Sequence, residues 1–387
     1  MKLVLDTNII HGDFHLQGAR ITKLCNASTK LDYELMTPEV VFDEVVDQFR
    51  RELEKHWTSY EKMLSLLGKT KTGSTTKDLD KAAFFEVKIE EYKSFLTARL
   101  EELGISIIPY PEVDIKALVA KEQLRKKPFK EVKEHSVGLR DALIWETIKS
   151  LCVVDEKLID TRPQVEFLTE NTLDFAEANG SLHSDLVKEL EVQGLSGDCV
   201  SLISNTQEFF KTKIDAELEE LDSIKNALLT KGRFNRFELE KALSDVLSSD
   251  YLDREVLDSD FDSGDPRFLP HIYEDPSISG IGTPITQKLS VRKLDNDDVL
   301  IEVEAVLDLT IDFFVYTSDY FNYLVDDKAI FVIDWNWNEH YLLAQRIISV
   351  IASLSFRMTP SLGKVLSSEC SIDEVRMSSI DEELREL

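Results

Sequence analysis

Apolar residues recur along this chain with two different periods, and the change from one to the other divides it. Short apolar runs at residues 2–6, 33–37, 105–109, 165–169 and 199–204 suit strands buried on both faces. Between them the spacing lengthens. Val41, Val45, Phe49, Leu53 and Trp57 recur every four residues and predict one face of a helix over 39–67. Residues 79–103 continue the theme after a Gly/Ser/Thr turn at 68–76. Such alternation predicts an α/β fold with a parallel sheet flanked by helices, and a long helical hairpin inserted between strands.

A second helical region follows over 198–248, including the charged stretch 215–229 and a last helix from Phe234. Residues 248–282 then turn to Asp, Ser, Gly and Pro around DSDFDSGDP, the composition of a connector. Beyond it the period becomes two. Ile301, Val303, Ala305, Leu307, Leu309, Ile311, Phe313 and Val315 alternate with Glu302, Glu304, Asp308, Thr310 and Asp312. Ile348, Val350, Ala352, Leu354, Phe356 and Met358 alternate in the same manner with serines and Arg357. With 285–293 and 329–335 these predict a C-terminal antiparallel β-rich domain. The expected division is an α/β domain at 1–182, a helical segment at 183–250, a linker at 251–282, the β-rich domain at 283–366 and an acidic tail at 367–387.

Composition narrows the class. The 387 residues exceed what one small core organises, so several domains are expected. The four cysteines, Cys25, Cys152, Cys199 and Cys370, lie far apart without a CxxC pair, which argues against a zinc site and a disulfide framework. A reducing compartment follows. Lys2 precedes an apolar stretch that Asp6 breaks, far short of a signal sequence, and no run of about 18 apolar residues offers a membrane span. A soluble, cytoplasmic protein is expected. The net charge of −28 is unevenly spread. Residues 1–180 hold 26 Lys and Arg against 32 Asp and Glu, and residues 181–387 hold 19 against 41. Within the first part, Lys121, Arg125, Lys126, Lys127, Lys130 and Lys133 form a local basic segment around Pro128. Such a segment holds phosphate backbones, or is a solvated charge run.

Four acids stand where strands end or helices begin. Asp6 closes the first strand; Glu44 lies one turn into the helix after the second, in TPEVVFDEV. Asp141 starts the helix GLRDALIWETI, and Asp174 follows the strand at 165–169 in LTENTLDF. Each has an ordinary explanation: Asp141 as a helix cap, Glu44 as a solvated helix residue, Asp174 as a turn cap. Their sequence separations carry no local metal-ligand spacing, so convergence depends on the parallel-sheet fold. Together they are what a carboxylate-held metal requires.

VLDTNII, TPEVVFDEV, GLRDALIWETI and FLTENTLDF, in that order, resemble the four-motif series of PIN-domain nucleases over about residues 1–180. The resemblance extends to a PIN-like group with KPFK shortly before the third motif. It implies that Asp6, Glu44 and Asp141 coordinate Mg²⁺ or Mn²⁺, with Asn8 and Thr169 supporting the site. Many family members have an aspartate where this chain has Asn171; Asp174 is the acid nearby, so the fourth ligand is either Asn171 through its carbonyl oxygen or Asp174 through its charge.

Metal-dependent phosphodiester hydrolysis needs no nucleophilic side chain, consistent with histidines, His11, His15 and His135 among them, that show no paired spacing. Lys126, Lys127, Lys130 and Arg140 are candidates for contacts with the nucleic-acid backbone, and Lys69 and Lys71 for extending a groove. The resemblance implies an endoribonuclease, in a setting such as a toxin or antiphage effector. The alternatives are a structure-selective DNase and a PIN-like binding module that has lost catalysis. The C-terminal aromatics, Phe313, Phe314, Tyr316, Tyr320, Phe321, Tyr323, Trp335 and Trp337, are expected as sheet core rather than a base-stacking platform. The acidic C-terminal half suits a regulatory protein partner or self-association better than nucleic acid.

Overall fold

Three of the apolar runs become parallel strands, β1 (Lys2–Leu5), β2 (Glu34–Pro38) and β3 (Ile105–Ile108), in a computed structural model. The structure describes residues 1–387 except His11, 71–79, Glu134, 154–162, 257–271, 295–296 and 377–387. A small antiparallel hairpin, β4 (Lys130–Val132) and β5 (His135–Val137), follows β3. The parallel sheet is completed by β6 (Val165–Leu168) and β7 (Val200–Ile203) in the order β3-β2-β1-β6-β7. The chain therefore adds strands on one side of β1 and returns to add β6 and β7 on the other. Direction reverses at β1/β6, and the carboxyl ends of those strands form the crevice where open α/β sheets take ligands. Leu3, Val4, Leu5, Val165, Phe167 and Leu168 are all fully buried, and the one polar residue among them, Glu166, is buried too and accepts from Lys213.

Helices α1 (Thr7–Ile10) and α2 (Ala19–Leu31) separate β1 from β2. The helical hairpin lies between β2 and β3 as α3 (Glu39–Thr70) and α4 (Lys81–Glu102). The Phe49 and Tyr92 rings stack at 4.0 Å, and Trp57 meets Phe84 and Phe85 at 5.5 and 5.7 Å, so aromatic contact zips the two helices together. Of the turn expected at 68–76, α3 takes residues through Thr70; the remainder, Lys71 included, lies outside the described residues. Then come α5 (Ile115–Gln123), α6 (Leu139–Ser150), α7 (Thr172–Phe175), α8 (Ser184–Val192) and α9 (Thr206–Phe209).

The chain divides into two compact units, Met1–Leu218 and Glu219–Leu387. The first runs well past residue 182, because β7 hydrogen-bonds along β6 and belongs to the same sheet. Helix α10 (Asp215–Lys231), the hairpin β8 (Arg233–Phe234) and β9 (Phe237–Glu238), and α11 (Leu239–Tyr251) precede the second sheet. That sheet has six antiparallel strands: β10 (Glu274–Ile281), β11 (Ile285–Lys293), β12 (Val299–Tyr316), β13 (Ile330–Asp334), β14 (Tyr341–Thr359) and β15 (Lys364–Arg376). Strands β12 and β14 pair in unbroken register from Val299↔Met358 to Tyr316↔Tyr341, with shorter strands end to end along their outer sides. One face of the sheet is apolar and buried. The other carries the acids.

The sheet begins earlier and ends later than the 283–366 expected from alternation: β10 lies in the stretch expected as linker, and β15 takes the first ten residues of the expected tail. The linker centre DSDFDSGDP and residues 377–387 lie outside the described residues. The aromatic expectation needs correction. Phe313 and Tyr320 are buried, but Phe321, Tyr323, Trp335 and Trp337 are each more than half exposed, because they belong to the turns and edge beyond the covered face. Among the described residues no helix is long and apolar enough to cross a membrane.

Candidate active site

A cleft of about 710 Å³ opens at the carboxyl end of the parallel sheet, lined among others by Asp6, Glu44, Asp141, Asn171 and Arg140. Four separate elements deliver these groups. Asp6 follows β1 directly, and its backbone N–H bonds the Leu168 carbonyl at 3.1 Å, fixing it beside the end of β6. Glu44 projects from the second turn of α3, which begins where β2 ends. Arg140 and Asp141 sit in the first turn of α6. Asn171 caps α7, just after β6.

Each polar group is held by the chain itself. The Asp6 carboxylate is nearly fully buried and accepts from the Thr7 N–H at 2.7 Å, the Asn8 side-chain amide at 2.9 Å and the Thr169 hydroxyl. Asn8 is fixed in turn, since its carbonyl oxygen accepts the Glu170 N–H at 3.1 Å. The Thr7 hydroxyl donates to Glu44 Oε2 at 2.7 Å, and Arg140 donates to Glu44 Oε1 at 3.0 Å. The Asn171 amide donates to Asp141 Oδ1 at 3.0 Å, and its N–H bonds the Thr169 hydroxyl at 2.9 Å. Among the described residues no three His, Cys, Asp or Glu side chains stand already gathered around a metal position.

Burial and mutual repulsion set the protonation of the acids. Burial, offset in part by the Thr169, Thr7 and Asn8 hydrogen bonds, pushes Asp6 up to about 6, with the Glu44 charge adding to the rise. Asp141 is pushed up to about 7, first by burial, then by the charges of Asp174 and Asp6, with Lys130 opposing. The cleft thus holds more negative charge than its own cations neutralise comfortably. A divalent cation fits that imbalance, and one further observation points the same way. Asp174 Oδ1 is buried without a hydrogen-bond partner, although Lys130 donates to the other oxygen at 2.6 Å.

Asn171, rather than Asp174, lines the cleft; Asp174 lies behind it, 2% exposed and paired with Lys130. The basic segment, expected either to hold a phosphate backbone or to be a solvated charge run, spreads its lysines over several partners. Lys121 is buried in an ion-pair group with Glu189, Lys127 donates to the Leu173 carbonyl, and Lys130 is bound to Asp174. These lysines hold α7 and α8 in place, and Lys126 is exposed. Arg140, about half exposed, is the basic residue on the cleft wall. Sequence reasoning had not singled out Thr7 as the support of Glu44, nor Phe129, Ser136 and Gln48 as lining. Thr7 was visible in the same Asp-Thr-Asn triplet.

Gly138 fixes where Asp141 stands. Its φ is +118°, and a Cβ there would meet the Pro128 carbonyl oxygen at 2.6 Å and Phe129 Cα at 3.0 Å. The KPFK turn therefore packs against the backbone that launches α6. Gly138→Ala should cost on the order of 2 kcal/mol, through both the left-handed backbone and the contact, and displace the first turn of α6. Thermal unfolding and nuclease assays of the variant check this; native stability with a native cleavage rate would contradict it.

A family model described as PIN domain matches residues 3–175, and this part of the chain is a PIN domain, a nuclease-like fold that generally works with divalent metal. No curated protein and no solved structure matches the chain.

Proposed function

We propose that the protein hydrolyses phosphodiester bonds of RNA internally, as an endoribonuclease dependent on Mg²⁺ or Mn²⁺. The observation that carries this is the meeting of Asp6, Glu44 and Asp141, from three separate elements, in one open cleft at the switch point of the parallel sheet. These three would hold the ion, with the Asn171 carbonyl oxygen within the same wall and the Asp174 charge behind it. Bound there, a divalent ion supplies an acidified water, neutralises phosphoryl oxygens and eases departure of the leaving oxygen.

The chain's own groups do the rest. Thr169, Thr7 and Asn8 aim the Asp6 carboxylate and keep it from turning inward. The Asn171 amide orients Asp141 through one oxygen, leaving the other for a cation. Arg140 serves two partners in succession. It neutralises Glu44 in the free protein, and its exposed guanidinium is placed to take a phosphate when Glu44 turns to the ion. An open groove rather than an enclosed pocket admits a polymer at an internal position.

RNA is the substrate class supported by the family resemblance. Circular single-stranded RNA and DNA of the same sequence, incubated with the protein and Mn²⁺, separate the choices. Linearisation of the RNA circle alone is expected. Equal cutting of DNA, or digestion only of strands with free ends, would contradict the proposal.

A further inference from the structure

At the end of the first unit's sheet opposite the cleft, the segments that carry two cysteines far apart in sequence meet through one residue, Gln164. Cys152 follows α6, and both of its neighbours are tied to the sheet. Lys2, which opens β1, donates its ammonium to the Leu151 carbonyl at 3.0 Å. The Gln164 side chain accepts the Val153 N–H at 2.7 Å and donates to the Val153 carbonyl at 2.9 Å. Gln164 itself enters β6, and its backbone N–H bonds the Cys199 carbonyl at 2.8 Å at the entry to β7. Lys2 stands opposite Val165, and Val165 opposite Val200, so the anchors form one row across β1, β6 and β7. Cys152 is thereby suspended over the Cys199 end of that row.

The two thiol groups stand close enough to interact, with Cys152 Sγ also donating to the Ile148 carbonyl at 3.6 Å. Cys199 is buried and Cys152 half-buried. The remaining cysteines lie elsewhere: Cys25 on α2, Cys370 on β15 in the other unit.

We propose that Cys152 and Cys199 are a reversible dithiol that closes to an intramolecular disulfide when the protein meets hydrogen peroxide. One of the two cysteines attacks a peroxide oxygen as its thiolate, the O–O bond breaks, and hydroxide leaves, giving a sulfenic acid on that cysteine. The sulfur of the other cysteine then attacks the oxidised sulfur. The S–O bond breaks as the S–S bond forms, and the departing hydroxide takes the attacking thiol's proton as water. Two sulfurs are oxidised by one electron pair in total, and the peroxide is reduced to water. The bond would tether the carboxyl end of α6 to β7 and close a loop containing the fourth motif, while α6 carries Arg140 and Asp141 at its other end. Cys152 is half-buried, which gives peroxide access to the pair, and any dithiol reductant reopens the bond.

The test uses the full chain with stoichiometric hydrogen peroxide, a count of thiols in denaturant and peptide mapping without reduction. Titratable thiols are expected to fall from four to two, with one peptide pair joined through Cys152 and Cys199 and full recovery on reduction. The oxidised protein should unfold about 5 °C higher, since a loop is closed in the unfolded chain. A Cys25→Ser, Cys370→Ser double variant, which leaves the pair untouched, should form the same link. Cys152→Ser should form none. Retention of four thiols, a cross-link through Cys25 or Cys370, or sulfinic acid accumulating on Cys152 or Cys199 in the double variant would each overturn the proposal.

Discussion

Replacing Asp141 by Asn is expected to lower the rate of metal-dependent cleavage about a thousandfold while making the metal-free protein more resistant to unfolding above pH 7. The two effects share one cause. Asp141 is pushed up to about 7 because its carboxylate is buried and faces Asp174 and Asp6, so the ionised form is costly in the folded protein. An amide keeps the shape and removes the charge. It also removes an oxygen able to hold a divalent ion, and with it the electrostatic help to the reacting phosphate. The Asn171 amide that now donates to Asp141 finds a carbonyl oxygen in its place, so the local bond survives. The stabilisation is on the order of 2 kcal/mol after allowance for partial exposure. Urea unfolding in chelator and single-turnover cleavage, run on the same preparation, measure both. A variant that loses stability and activity together would mean that Asp141 is a structural residue.

The second large effect is on pH. Asp6 and Asp141 have folded values raised to about 6 and about 7 from the ordinary carboxyl value of 3.8. A raised acid favours its protonated form in the folded state. Its contribution is therefore full below the unfolded value and disappears as pH rises through the folded one. Without metal, stability should fall between about pH 4 and 7 by on the order of 3 kcal/mol from these two groups. A divalent ion binds the ionised carboxylates, so its stabilisation should grow over the same interval and reach about 2.7 kcal/mol at a hundredfold excess over Kd. Melting curves at pH 5 and pH 8, with chelator and with Mg²⁺, show whether the two trends oppose one another. An Mg²⁺ effect equal at both pH values would place the ion away from these acids.

How much of this was legible beforehand varies with burial. Strands β1, β2 and β6 are covered on both faces, so each appears as a mainly apolar run with a polar residue at or near its end, and the polar residues within them, Thr37 and Glu166, are buried as well. Strands β12 and β14 have one covered face and show clean alternation. Strand β10, EDPSISGI, does not: Pro276 and Gly280 sit where the register shifts against β12, and irregular strands carry connector composition. Hairpin β4–β5 has three residues on each side, four of the six exposed, too few for any period to register.

The site shows the same division. Asp6, Glu44 and Asp141 were accessible because each is tied to the start or end of an element, and the elements were visible. The partners of the lysines in the KPFK region were not legible because charge alone cannot say where a partner stands; Lys130 meets Asp174 across 44 residues of chain. Asn171 and Asp174 lie three residues apart, and only the single turn of α7 decides which of them lines the cleft. The Cys152–Cys199 pairing had no local spacing to reveal it.

The most direct measurement is cleavage of uniformly labelled single-stranded RNA by wild-type protein over a Mn²⁺ titration, beside Asp6→Asn and a chelator control. Asp6 is the buried anchor of the cleft, held by three hydrogen bonds that an amide cannot all accept. Cutting that appears with metal, vanishes with chelator and is absent from Asp6→Asn at every Mn²⁺ concentration is the predicted result. Cutting that persists in chelator, or proceeds equally in Asp6→Asn, would contradict a metal-dependent nuclease site at this cleft.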